Sequence, residues 1–407
     1  MKPKTIFFSV GEPSGDQHAA RLITALHRDS AIQCRGFGGP EMAAAGCTVD
    51  VELTSHAVVG LVEVLPKLRD FFRFADQAEA IFAGGGIDAV VLVDFPGFNW
   101  HVAKRAKKFG IPVYYYCPPQ LWAWGAWRVT KMRRLIDHVL AVLPIEQDFY
   151  RRHGIQTTLV GHPFFDAVEE TELDAATLAS LSDSSDGREH TIAVLPGSRD
   201  HEVHGNFPIF LETIRRLSNS SPLVGKSVRY AVASYRDRHC LWCRDQLGPE
   251  DRSLPIEFYV GKTSEIIEAA DCAMMVSGSV SLEFMARQTP AAVLYRVGRL
   301  LHFVGRRVLN VDSITLPNLM SPRKVFPEYV SVGDSAPAID FLTETIGAMT
   351  TDSFYRERLR RDLADLRRAH AMPGASAAAA SHLRRWLGVA GSANDPTIQQ
   401  TIRRPAA

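Results

Sequence analysis

The stretch Thr5-Ile6-Phe7-Phe8-Ser9-Val10-Gly11-Glu12-Pro13-Ser14-Gly15-Asp16 decides the fold. Its first half is a short, nearly unbroken apolar run, which reads as a strand buried on both faces. Gly11 and Pro13 end the run, and Ala19, Leu22, Ile23 and Leu26 then recur at helical spacing. A strand that turns directly into an amphipathic helix is half of a βαβ unit, the building block of a parallel sheet covered by helices. The glycines of the turn permit close approach to a ligand, and the helix start offers free N–H groups to an anion. The turn lacks the G-x-G-x-x-G spacing of a dinucleotide site, and Glu12 and Asp16 would repel a phosphate. Taken alone, it is equally a tight turn with Ser14 or Asp16 as a cap.

The same alternation runs outward from this unit. Apolar strands are expected at residues 89–93, 111–116, 138–142 and 157–160, with amphipathic helices between them. The composition then shifts toward Ser, Asp, Thr and Glu, which marks residues 171–189 as a linker. Strands resume at 191–195, 228–233, 256–260, 272–276 and 291–295. Two such runs predict two doubly wound, Rossmann-like α/β domains, residues 1–170 and 190–350, facing a cleft. Ligands of open α/β sheets sit beyond the carboxyl ends of the strands. Leu359, Leu363 and Leu366 share a helical face, Pro373-Gly374 breaks it, and an Ala-rich stretch resumes toward Trp386. C-terminal helices are expected over 351–388 and a frayed tail over 389–407.

Composition narrows the function. The 407 residues are 46% hydrophobic and 22% charged, and 46 Lys and Arg balance 45 Asp and Glu. A net charge of +1 argues against a nucleic-acid binder driven by counterion release. Six scattered cysteines cannot staple a chain of this size, so a reduced, cytoplasmic setting is expected. Cys240-Leu241-Trp242-Cys243 has no second pair at zinc spacing and reads as a buried thiol pair. No metal and no cofactor are called for. The apolar stretch after Lys4 is too short for a signal peptide, and no window approaches the ~18 apolar residues of a membrane span. A membrane would be met only from its surface.

Three clusters carry candidate chemistry. Asp94-Phe95-Pro96-Gly97-Phe98-Asn99 leaves the strand at 89–93, and a carboxylate at a buried strand exit is a general-base candidate because desolvation raises its pKa. The alternative is a helix cap. Leu195-Pro196-Gly197-Ser198-Arg199 and Ser277-Gly278-Ser279-Val280-Ser281-Leu282-Glu283 each follow a strand. Ser198, Arg199 and the helix start at Ser277, Gly278, Ser279 and Ser281 suit a diphosphate, with Glu283 accepting from ribose hydroxyls. The third cluster is apolar and basic: Val58, Val59, Leu61, Val62, Leu65, Phe71 and Phe72 interleave with Lys67, Arg69 and Arg73. It reads as a core helix or as a segment for a membrane interface or acyl chains. Trp122 and Trp124 suit sugar faces or acyl chains, or simply domain packing.

With these pieces assembled, the chain resembles the lipid-A-disaccharide synthase family, inverting glycosyltransferases of GT-B architecture. The resemblance rests on eight ordered matches between residue 5 and about residue 330. They are Val10 to Asp16, Gly60 to Leu65, Asp94 to Asn99, Pro119 to Trp124, Gly161-His162-Pro163, Leu195 to Arg199, Ser277 to Glu283 and Leu316-Pro317-Asn318-Leu319. It implies transfer from UDP-2,3-diacylglucosamine to 2,3-diacylglucosamine 1-phosphate with release of UDP, at the cytoplasmic surface of the inner membrane. It also implies a C-terminal donor domain that includes Asn318, and an N-terminal acceptor domain with Asp94 as base and Glu12 and Asp16 as rivals. A homodimer stays open. Many relatives carry a second Asp where Gly97 stands, Ala-Gly-Arg where Ser321-Pro322-Arg323 stands, and Gln near Ser331. The alternatives are a UDP-N-acetylglucosamine 2-epimerase-like enzyme and a lipid-binding relative without turnover.

Overall fold

A computed structural model describes residues 3–28, 32–56, 61–183, 190–219, 227–298 and 313–389, with the side chains of 61–68 left out. The chain divides into two compact units, one of Met1–Ala167 with Met372–Ala407, the other of Val168–Ala371.

The first unit is built on seven parallel strands: β1 (Lys4–Val10), β2 (Ile32–Gly38), β3 (Thr48–Glu52), β4 (Ala89–Val93), β5 (Val113–Tyr116), β6 (His138–Ala141) and β7 (Thr157–Leu159). Their order is β3-β2-β1-β4-β5-β6-β7, so the winding reverses between β1 and β4. The register pairs Val10 with Val93 and places the exits of these two strands side by side. All five residues of β4 are buried, as a central strand with helices on both faces requires. Ser9, the one polar residue in the inner half of β1, donates to Asn99 Oδ1 at 2.7 Å, so the interruption is satisfied. At the opposite end of the sheet, Asp88 accepts from Lys4 Nζ and Thr5 N, both at 2.8 Å.

The second unit repeats the plan with β8 (His190–Leu195), β9 (Val228–Ser234), β10 (Ile256–Val260), β11 (Cys272–Val276), β12 (Ala291–Val297) and β13 (Glu328–Val332). The order is β10-β9-β8-β11-β12-β13, and here the reversal falls between β8 and β11. Residues read as a plain linker include a helix, Ala175–Ser182, capped by Asp174 Oδ1 on Ala176 N at 3.0 Å. Asp174 also pairs with Lys262 at 2.5 Å, which fastens the segment to the second unit.

Met372 brings the chain back to the first unit. The helix Ala375–Trp386 starts on Asp166, whose carboxylate accepts from Gly374 N, Ala375 N and Ser376 N at 2.7, 3.1 and 2.9 Å. A buried carboxylate there satisfies orphan donors and opposes the positive end of the helix dipole. Arg384 is buried and donates to the Ala25 and Leu26 carbonyls, which close the helix Pro13–His27. Trp386 stacks flat on Tyr114, with centroids 4.7 Å apart and planes within 3°. The Ala-rich helix therefore packs on its own chain.

Candidate active site

The reversal in the first unit gathers its candidate residues. Asp94 and Phe95 follow β4, and both hold φ near +46°, a region that non-glycine residues avoid. Three contacts enforce this shape. Asn99 Nδ2 donates to the Asp94 carbonyl at 2.7 Å and to the Val93 and Ser9 carbonyls at 3.3 and 3.2 Å. Tyr115 Oη donates to the same Asp94 carbonyl at 2.7 Å. The Phe95 ring lies where a side chain at residue 11 would start, its nearest carbon 2.2 Å from an ideal Cβ, so only glycine fits at Gly11. Strain of this kind persists only where the surroundings over-determine it, and it concentrates at functional loops.

The carboxyl of Asp94 is pushed above the ordinary carboxylate range by burial, against the opposing Phe95 N–H. The two rivals sit differently. Asp16 is buried and accepts from Gly39 N, Glu41 N and Met42 N at 2.9, 3.0 and 3.3 Å. It holds the turn after β1 to the short helix Pro40–Ala44, and those donors occupy both of its oxygens. Glu12 is half-buried and lends its carbonyl to Asp16 N at 2.9 Å, closing the first helical turn. Glu146 gave no signal of its own in the sequence. It is wholly buried at the start of the helix Pro144–Arg152, accepts from Val142 N and Leu143 N at 3.0 and 3.1 Å, and is pushed up to about 8 by burial, with the Asp94 charge adding to the rise.

Aromatic residues frame the loop. Phe71, Phe95 and Phe98 form a triangle with centroids 5.7–6.1 Å apart, which joins the helix Leu61–Ala83 to the Asp94 turn. Phe72 is exposed and meets the His101 ring at 5.5 Å. Val58 and Val59 lie outside the described residues, and of Leu61, Val62 and Leu65 only the helical backbone is described. Trp124 is exposed, as a ligand contact requires. Trp122 is not: it is buried in the first unit beside Glu146.

The second unit places its candidates at the reversal of β8 and β11. Pro196 to Arg199 leave β8, and Ser277, Gly278 and Ser279 leave β11 to open the helix Val280–Arg287. Gly278 and Ser279 are exposed, with the helix N-terminus behind them. Glu202 Oε2 accepts from Ser198 N and Arg199 N at 3.0 and 3.2 Å, and its other oxygen holds Arg199 Nη1 at 2.9 Å. The Ser198 amide is therefore held by Glu202, within the first turn of the helix Asp200–Asn219. Ser281 is buried and donates to the Gly278 carbonyl at 2.7 Å, shaping the loop. Glu283 is buried and takes Arg287 Nε at 3.0 Å on one oxygen. Asn318, expected as a UDP contact, is engaged within its own loop. Both ends of its amide are consumed by Phe326 O, Val325 N and Phe326 N, at 2.7, 2.7 and 2.9 Å, which fixes the loop before β13. Among the described residues no cluster of His, Cys, Asp and Glu is arranged to hold a metal ion.

Two doubly wound parallel sheets, each with its candidate loops at the strand reversal, define the GT-B class. Solved structures agree on the fold. UDP-N-acetylglucosamine 2-epimerase from Neisseria meningitidis, bound to UDP-N-acetylglucosamine, superposes with a TM-score of 0.62 at 13% identity, covering 95% of this chain and 100% of that one. MurG from Acinetobacter baumannii gives 0.56 at 11% identity, covering 94% and 100%. The sequence model of the lipid-A-disaccharide synthetase family matches residues 6–355, and the chain belongs to that family. The lipid-A-disaccharide synthases of Syntrophus aciditrophicus and Myxococcus xanthus are each 34% identical to it. The first match covers 93% of this chain and 97% of the relative, the second 93% and 96%. That of Coxiella burnetii is 30% identical over 90% of this chain and 94% of its own length.

Proposed function

We propose that this chain is a lipid-A-disaccharide synthase that transfers 2,3-diacylglucosamine from its UDP ester to 2,3-diacylglucosamine 1-phosphate, releasing UDP. Full-length likeness to synthases of that name supports the reaction. The observation that carries the mechanism is the buried, strained Asp94 at the β1/β4 reversal. Asp94 takes the proton of the acceptor hydroxyl as that oxygen attacks the anomeric carbon. The bond from that carbon to the diphosphate breaks, and UDP leaves with the electron pair on the opposite face. Arg199 and the N-terminus of the helix Val280–Arg287 balance the charge that develops on the leaving diphosphate. Ser277, Gly278, Ser279 and one oxygen of Glu283 complete the donor site in this reading.

The exposed Phe72 and the Trp124 and Trp127 rings favour an acyl-bearing substrate met at the surface of the inner membrane from the cytoplasmic side. No helix among the described residues is long and apolar enough to cross a membrane. The test is UDP release from purified protein given UDP-2,3-diacylglucosamine in detergent micelles, with and without the monosaccharide 1-phosphate. Release that needs the acceptor and yields a disaccharide by mass is expected. Acceptor-independent conversion of the UDP-sugar would instead indicate an epimerase-like enzyme.

A further inference from the structure

Among the described residues Arg128 is a cation without an anion. Its buried Nε and Nη2 atoms meet no hydrogen-bond acceptor among them. The guanidinium lies 4.1 Å from the Trp124 ring centroid and 5.9 Å from that of Trp127. It also lies against the bare backbone of Gly125, φ +78°, where an added Cβ would fall 2.7 Å from both nitrogens. Glycine is thus needed there for the backbone and for the room. A guanidinium packed close to a ring and a glycine, with donors that no described residue takes up, suits a planar bidentate partner from outside the protein.

Its neighbours share the imbalance. Lys131 sits 5.2 Å over the Trp100 ring and is repelled by Arg134, Arg128 and Lys104. None of these four cations makes an ion pair among the described residues, whereas Arg105 nearby is matched by Asp76 and Glu79. The cluster also adjoins the Asp94 loop. Tyr150 and Tyr115 lie within electrostatic reach of the guanidinium, and the Tyr115 and Tyr150 hydroxyls donate to the Asp94 and Pro119 carbonyls at 2.7 and 2.5 Å. We propose that Arg128, backed by Lys131, is the receptor for a phosphate monoester on the acceptor, and that it distinguishes phosphorylated from unphosphorylated monosaccharides. Such a group carries close to two negative charges and three acceptor oxygens, which suits a guanidinium fork better than any neutral hydroxyl. The identity of the acceptor rests on the transferase reading above; the unmatched cation does not.

The test compares 2,3-diacylglucosamine 1-phosphate with its 1-hydroxyl counterpart, both in micelles, by tryptophan fluorescence titration and by turnover. Arg128→Gln is expected to weaken binding of the phosphorylated sugar on the order of 100-fold while leaving the unphosphorylated sugar and the KM for the UDP-sugar unchanged. Arg128→Lys, which keeps the charge and loses the fork, should fall between. Equal losses for both sugars, or no loss for either, would overturn the proposal. So would normal discrimination by Arg128→Gln together with lost binding to phosphatidylglycerol vesicles over phosphatidylcholine ones, because the cation would then serve lipid headgroups. Wild-type protein that discriminates the sugars but shows no turnover would sink the transferase reading and leave this site standing.

Discussion

Asp94 takes its character from where the chain puts it. Five buried apolar residues lead to it, Asn99 and Tyr115 pin its carbonyl, and burial favours its protonated form. The rate should therefore rise with pH through a value above the ordinary carboxylate range and level off beyond it. Gly97, three residues on, needs no left-handed φ, and an added Cβ there meets nothing within 4 Å. Gly97→Asp should fold normally and set a second carboxylate beside Asp94, moving the rising limb of the kcat/KM profile to higher pH. An unshifted profile would separate Asp94 from the titration. Stability should run the other way. Because the folded state raises this pKa, the carboxylate costs stability as pH climbs past its ordinary value, and Asp94→Asn should raise Tm at neutral pH. Much of this residue was readable: a carboxylate at a strand exit announces itself. Its strain was not, because the φ of Asp94 depends on Asn99, Tyr115 and the Phe95 ring, which only folding brings together.

At the scale of elements, the sequence exposed the strands rich in apolar residues and hid those broken by polar ones. β4, β10 and β11 were legible to the residue, β4 and β11 as short apolar runs and β10 as an aromatic-rich one interrupted by Glu257. β3 carries Thr48, Asp50 and Glu52, β13 carries Glu328 and Ser331, and β2 carries Gln33 and Arg35, so none forms a continuous apolar run. The expected strand 111–116 begins at Val113, because Pro112 cannot supply a ladder N–H. Site residues were read from loops at strand exits; that the Asn318 amide holds the loop before β13 and that Trp122 is buried depends on contacts made only on folding. Asp166 was invisible for a plainer reason: its partners lie more than 200 residues away. Asp166→Asn should loosen the helix Ala375–Trp386 and cost about 1–2 kcal/mol in chemical denaturation. A loss near zero would assign the docking of that helix to Arg384 and Trp386 instead.

For the whole molecule, acid should act unevenly. His18 and His138 are lowered to about 4 and His162 to about 3, chiefly by burial, and all three belong to the first unit. Their folded pKa values lie below the unfolded one, so the unfolded chain binds more protons as pH drops below about 6.5. Their contribution is whole above that value and is lost progressively toward pH 4. Hydrogen exchange at pH 7.5 and 5 should show amides of β1 and β5 losing protection before those of β8 and β11. Simultaneous loss would mean that the two units unfold as one.

The central claim is that a GT-B protein of this family uses Asp94 as the base of sugar transfer. It is tested most directly by acceptor-dependent UDP release in Asp94→Asn, alongside equilibrium binding of the UDP-sugar. The account predicts a kcat lower by about 10²- to 10⁴-fold with donor binding unchanged. Turnover within about twofold of wild type would contradict it, and would move the proton to another group.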